Sequence, residues 1–251
     1  MRRQIKSLVC SCVLFLAVAL LPGQAPNPIR VQVVTGGHDY ETSFYSLFMD
    51  VPGLVWHHAT SNTQAFARDI RSGYDVLVLY DLSKEIAEKQ KSNLQAFVEG
   101  GKGLVVLHHA IADYGGWPWW YREVVGGRYL LEADGNLPAS TYQHDQEVFA
   151  KVVSQHPVTE GVGDLHLRDE TYKGLWISPD VNVLMRTDNP TSDGPLVWIS
   201  PYGKSRVVYI ELGHGPETHQ NAGYRRLVRN AIFWAAGRGT AGVRALRMGL
   251  K

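Results

Sequence analysis

Cysteine is nearly missing: among 251 residues only Cys10 and Cys12 occur, both within the first two dozen positions. Beyond them the chain has no thiol, which excludes disulfides, cysteine-ligated metal and a cysteine nucleophile. Charge of one sign is missing too. Lysine plus arginine number 25 against 24 acidic residues, so no electrostatic footprint for nucleic acid is present. No Gly-x-Ser-x-Gly elbow and no His-Glu-x-x-His pair occurs, which argues against the usual serine hydrolases and zincin proteases. Hydrophobic residues at 45% and charged residues at 20% exclude a disordered chain.

The amino-terminal segment reads as a targeting signal. Arg2, Arg3 and Lys6 precede an apolar run from Leu8 to Leu21, followed by Pro22-Gly23-Gln24-Ala25. The run is short for a membrane span and sits where a secretory signal belongs, so residues 1–25 are expected to be a signal peptide and the product periplasmic or secreted. An uncleaved anchor is the alternative. Loss of the three cations takes the formal charge from +1 to −2. The rest suits one domain over 29–237 and a basic tail over 238–251 that carries Arg238, Arg244, Arg247 and Lys251.

Apolar runs at Ile29–Thr35, Leu54–His58, Val76–Tyr80 and Leu104–Leu107 predict strands, and continuous runs such as Val76–Tyr80 suit a sheet covered on both faces. A short helix is expected over Thr63–Arg71. A second is expected after a Ser83 cap, with Ile86, Leu94, Phe97 and Val98 as its buried stripe and Gly100-Gly101 as its end. Later strands are expected over Gln146–Val153, Val181–Arg186, Leu196–Ser200 and Arg206–Leu212, the last two paired as a hairpin. Tyr224, Leu227, Val228, Ala231, Ile232 and Ala235 recur at helical spacing ahead of Gly237. Strands separated by helices predict an α/β fold, mainly parallel, with helices on both faces.

In such sheets ligands bind beyond the carboxyl ends of the strands. Those ends carry Gly36-Gly37-His38-Asp39, Tyr80-Asp81, His108-His109 and Gly213-His214-Gly215, so several of the ten histidines are expected on one rim. Imidazole exchanges protons near neutrality and ligates metals, and a gathered set supports either chemistry. Each histidine alone reads as a polar loop or structural residue sooner than as a functional one, so the case rests on their convergence. Gly36-Gly37-His38 lacks the ending of a phosphate loop, and no nucleotide cofactor is expected. Trp117-Pro118-Trp119-Trp120-Tyr121 is either core or a platform for a sugar ring. Asp169-Glu170-Thr171-Tyr172 offers a carboxylate and a phenol, or is a solvated turn. Glu211 is expected to be buried.

Several segments together resemble the trehalose-utilisation ThuA-like family: TGGHDYE from Thr35, GLVVLHHAIADY from Gly103, WPWWYREVVGG from Trp117, HPVTEGV from His156, DETYKG from Asp169, VVYIELGHGPETH from Val207 and RNAIFWAAG from Arg229. The resemblance implies a class I glutamine amidotransferase-like, flavodoxin-like fold and a place in sugar catabolism. True amidotransferases have a cysteine at the elbow occupied here by His108, so thioester chemistry is not available. Relatives carry one histidine followed by a small residue there, and His109 departs from that pattern. Carried over by position, the resemblance implies His38, His108, Glu170 and His214 as catalytic candidates, with Asp113, Trp119, Tyr172 and His109 at the substrate.

The expected activity is proton transfer by histidine and glutamate on a glycoside or keto-sugar, as a lyase, isomerase or hydrolase. A divalent metal, if used, falls to His38, His108 and His214. The alternative is a sugar-binding or scaffold domain without catalysis; an amidase with a histidine nucleophile ranks below both. The expected partner is a small carbohydrate, with no nucleic acid, no membrane after signal removal, and self-association left open.

Overall fold

The computed structural model describes residues 27–239. The expected signal segment with Cys10 and Cys12, and the tail beyond Gly239, lie outside the described residues. Strand β1 (Ile29–Gly36) leads through a 3-10 turn (Thr42–Leu47) to β2 (Leu54–Ala59), α1 (Asn62–Ala65), β3 (Val76–Asp81), α2 (Glu88–Glu99) and β4 (Gly103–Leu107). A 3-10 turn (His108–Ala112) and a π-helical turn (Trp119–Val125) then precede β5 (Gly127–Arg128), β6 (Thr141–Val152), β7 (Leu165–Lys173) and β8 (Trp176–Ile177). Next come β9 (Asn182–Arg186), β10 (Pro195–Ile199), β11 (Val207–Ile210), α3 (Pro216–Gln220) and α4 (Ala222–Ala235).

One nine-stranded sheet runs β2-β1-β3-β4-β11-β10-β9-β6-β7, while β5 and β8 pair apart from it. The strands from β2 to β11 are parallel neighbours, and β10 onward alternate in direction. The α/β fold with helices on both faces is therefore as expected, including the β10–β11 hairpin.

Period-two alternation explains how the parallel half is covered. Val31, Val33, Val76, Val78, Val105 and Leu107 face α4, where Leu227, Val228 and Ala231 close the core. Leu77, Leu79, Leu104 and Val106 face the other way, toward Leu94, Phe97 and Val98 of α2 and Trp120 of the π-helical turn. Helix α4 starts at a true cap, with the Asn221 side chain accepting from the Gly223 and Tyr224 N–H groups.

Two helix expectations are corrected. Helix α1 stops at Ala65 and does not reach Arg71: Phe66 has left helical geometry at φ −110° and ψ +21°, and its carbonyl turns to accept 2.8 Å from the Asn93 side-chain amide of α2. A helical continuation would need that carbonyl for residue 70. Ser83 does not cap α2 either: its hydroxyl donates to Asp81 and its N–H to Asp113, both at 2.6 Å, and the helix begins after Ala87.

Strand β7 is a further correction, since Asp169–Tyr172 forms no solvated turn. Leu165 to Arg168 alternates buried and exposed, then Asp169, Glu170, Thr171 and Tyr172 are all buried. Its partner β6 begins at Thr141, earlier than expected, and the register shifts between Gln143 and Gln146, where Asp145 has φ +60°. This bulge carries His144 over the ends of β4 and β11.

Candidate active site

Strand β4 delivers His108 at a strained elbow, φ +52°, with only 1% of the residue exposed. Its Nδ1 lies 2.6 Å from the Glu211 carbonyl, which only accepts, so Nδ1 carries the hydrogen and Nε2 keeps its lone pair. That lone-pair nitrogen stands 3.1 Å from the Tyr172 hydroxyl, 3.3 Å from His214 Nδ1 and 3.5 Å from Glu170 Oε2. Glu211 is buried as expected, and burial raises its carboxyl well above the ordinary range.

His214 follows β11 through Gly213, whose φ of +131° and surroundings admit no side chain. A Cβ there would lie 2.4 Å from the Tyr224 hydroxyl. The turn is held by the buried Asp169 carboxylate, which accepts from Gly213 N, His214 N and Thr218 Oγ1, each at 2.9 Å, and from Glu170 N at 2.8 Å. The next residue along β7, Glu170, places Oε2 2.6 Å from His214 Nδ1.

Burial pushes the Glu170 carboxyl upward, but the His108 and His214 imidazoles beside it outweigh that effect and hold the group below the usual carboxylate range. His214 is shifted upward by its hydrogen bond to Glu170, against the effect of burial. Burial keeps the Tyr172 phenol well above its ordinary value, so it remains a donor.

Five imidazoles form a continuous row along this rim. Ring centroids are 4.8 Å apart for His38–His109, 5.2 Å for His109–His108, 5.4 Å for His108–His214 and 4.7 Å for His214–His144. The row borders a cavity of about 280 Å³ lined by four of these histidines, by Glu170 and Tyr172, and by Tyr129, Leu131 and Tyr142. No lysine or arginine lines it. A larger hollow of about 1020 Å³ lies at the opposite strand ends, beside Arg30 and Lys102, away from these groups.

The gathering of His38, His108 and His214 into one set of ligand atoms is corrected. Among the described residues the group within ligand range is His108, Glu170 and His214. His38 lines the cavity, but its Nδ1 meets the carbonyl of Asp39 and its ring stacks on His109, which separates it from His108. His109 Nε2 donates to the Tyr80 carbonyl at 3.2 Å, and burial holds this imidazole neutral, its pKa lowered to about 2.

Two expected binding residues lie elsewhere. Asp113 is fully buried and pairs with Asp81 and the Ser83 N–H, outside the cavity. Trp119 packs on Trp117 and Tyr202, and the aromatic cluster belongs to the core on the α2 face. Conversely, His144, Tyr129, Leu131 and Tyr142 enter the site unforeseen. The one local signal for His144 is a His-Asp pair interrupting strand alternation; the lining by the others depends on how the 129–142 segment folds back.

The family model for ThuA, trehalose utilisation, matches residues 32–235. A ThuA-like protein from Parabacteroides merdae superposes with TM-score 0.72 at 20% identity, covering 85% of this chain and 92% of that one. A second, from Bacteroides uniformis, gives TM-score 0.68 at 21% identity, with 88% and 97% covered. Comparison with curated proteins found no match.

Proposed function

From the premise that the chain belongs to the ThuA family of trehalose utilisation, we propose that it is an enzyme acting on an uncharged glycoside or keto-sugar by proton transfer. The observation that carries this reading is the convergence of His108, Glu170 and Tyr172 on a cavity lined by no lysine or arginine, with His214 held against His108 and Glu170 beside it. A phosphorylated or carboxylated substrate would find no lysine or arginine side chain there. The volume suits about one sugar ring with its substituents.

A ring carbonyl acidifies the neighbouring C–H, and an imidazole removes that proton while a second group stabilises the oxyanion. His38 suits the role of base, because it sits at the exposed edge of the cavity and, with Nδ1 held by the Asp39 carbonyl, Nε2 is its accepting nitrogen. The inner group of His108, Glu170 and His214, with the protonated Tyr172 hydroxyl, suits stabilisation of the oxyanion. The basic start and apolar run of residues 1–25 support an exported site of action.

The test is a panel of glycosides and their keto derivatives incubated with the protein in deuterated water and followed by NMR. Exchange or loss of the proton beside the carbonyl is expected, and His38→Gln should suppress it. Saturable sugar binding without exchange or consumption across the panel overturns the enzyme reading in favour of a binding domain.

A further inference from the structure

We propose that His108 Nε2, His214 Nδ1 and Glu170 Oε2 form a three-ligand site for a divalent cation of the zinc class, with its fourth position open to the cavity. The inference rests on the reading above for the location of the site and names its cofactor.

Three observations carry it. The first is spacing. The three atoms are separated by 2.6, 3.3 and 3.5 Å. Bonds of about 2.0–2.2 Å in tetrahedral arrangement separate neighbouring ligands by about 3.3–3.5 Å. Two edges already have that length, and the third is closed by the hydrogen between His214 and Glu170. Ligation through Nδ1 requires the His214 ring hydrogen to stand on Nε2, which removes the hydrogen from this edge and lets it open by less than about 1 Å.

The second observation is orientation from behind. His108 donates its other ring nitrogen to the Glu211 carbonyl, which fixes the tautomer that leaves Nε2 free to ligate. His214 is positioned through its backbone by Asp169, itself satisfied by four donors. The strained His108 backbone at φ +52° shows that this placement is maintained against a conformational cost.

The third is donor chemistry. Two imidazoles and one carboxylate suit zinc and its neighbours; magnesium and calcium prefer oxygen donors. His108 and Glu170 line the cavity, so a cation held there reaches a sugar carbonyl and supplies Lewis acidity where the oxyanion develops. His144 is a further donor at the mouth, its Nδ1 3.6 Å from the same carboxylate oxygen and its side chain half-exposed.

Untagged protein, stripped with a chelator and dialysed, is titrated with zinc by calorimetry and with cobalt(II) by visible absorption. One ion per chain with the strong absorption of a four-coordinate cobalt site is expected. Glu170→Gln and His214→Ala should each weaken zinc binding by about 100-fold, whereas His38→Ala should leave it within about threefold. His214 is half-exposed, so its truncation gives a reading even where Glu170→Gln fails to fold. The absence of binding to wild type, or binding undiminished in folded His214→Ala, overturns the site. Zinc binding without sugar turnover overturns the enzyme reading alone; turnover indifferent to chelation in a protein that binds no zinc overturns the cation alone.

Discussion

Asp81 and Asp113 form a fully buried, mutually interacting carboxyl pair in which one oxygen of each, Oδ1 of Asp81 and Oδ2 of Asp113, has no hydrogen-bond partner. Two carboxylates cannot both ionise there, so the pair holds a proton. Burial pushes Asp81 up to about 6 and Asp113 well above the ordinary carboxylate range. Groups raised in the folded state stabilise it fully below their unfolded value near 3.8, and that contribution is lost as pH rises through 6 and beyond. Asp113→Asn keeps an acceptor for the Ser83 N–H and presents an amide donor to Asp81. Its melting temperature should therefore gain on wild type as pH rises from 5 to 8, by about 1–3 kcal/mol in stability. An equal loss at both pH values would show that no proton is shared.

A cleft position would ordinarily predict that His108→Ala spares stability, but its burial beside Tyr80 and Tyr172 and its bond to the Glu211 carbonyl predict otherwise. Truncation leaves a void and an unsatisfied buried carbonyl, costing about 1–3 kcal/mol. His108→Asn should recover part of this, because asparagine tolerates the left-handed backbone better than alanine. Thermal melts of the two variants decide it; an alanine variant as stable as the asparagine one contradicts the strain argument.

Gly213→Ala should be among the most damaging single changes in the site, at about 2–5 kcal/mol, because it combines an unfavourable φ with a clash. The Tyr224 hydroxyl cannot yield easily, since it donates to the Leu212 carbonyl at 3.0 Å. Tyr224→Phe in the same background should relieve part of the loss. A double-mutant cycle with no coupling would place the damage elsewhere.

Trp119→Ala should alter KM for any sugar the protein turns over by less than about twofold, since its ring packs on Trp117 and Tyr202 outside the cavity. Tyr142→Ala should raise KM by about tenfold, the loss of one aromatic contact at the cavity wall. The opposite ranking in steady-state kinetics would return the tryptophan cluster to the sugar.

Much of the frame is local and therefore readable along the chain. Continuous Val/Leu runs in β3 and β4 specify strands buried on both faces, and the apolar stripe of α4 specifies the helix that covers one of them. Histidines placed after strand ends follow from the same pattern, as does a common rim for His38, His108 and His214. The partners of those histidines do not follow. His108 meets His214 across 106 residues and Glu211 across 103, and only the strand order, which brings β11 beside β4, creates those meetings. Glu170 enters because β7 folds back through antiparallel pairing, and His144 because the bulge in β6 carries it over the same strand ends. Packing likewise assigned Asp113 to a buried carboxyl pair and set the half-buried Trp119 against the core. Residue type and spacing set which groups could react, and long-range packing chose their neighbours, because contact energy depends on distances in space that chain order does not encode.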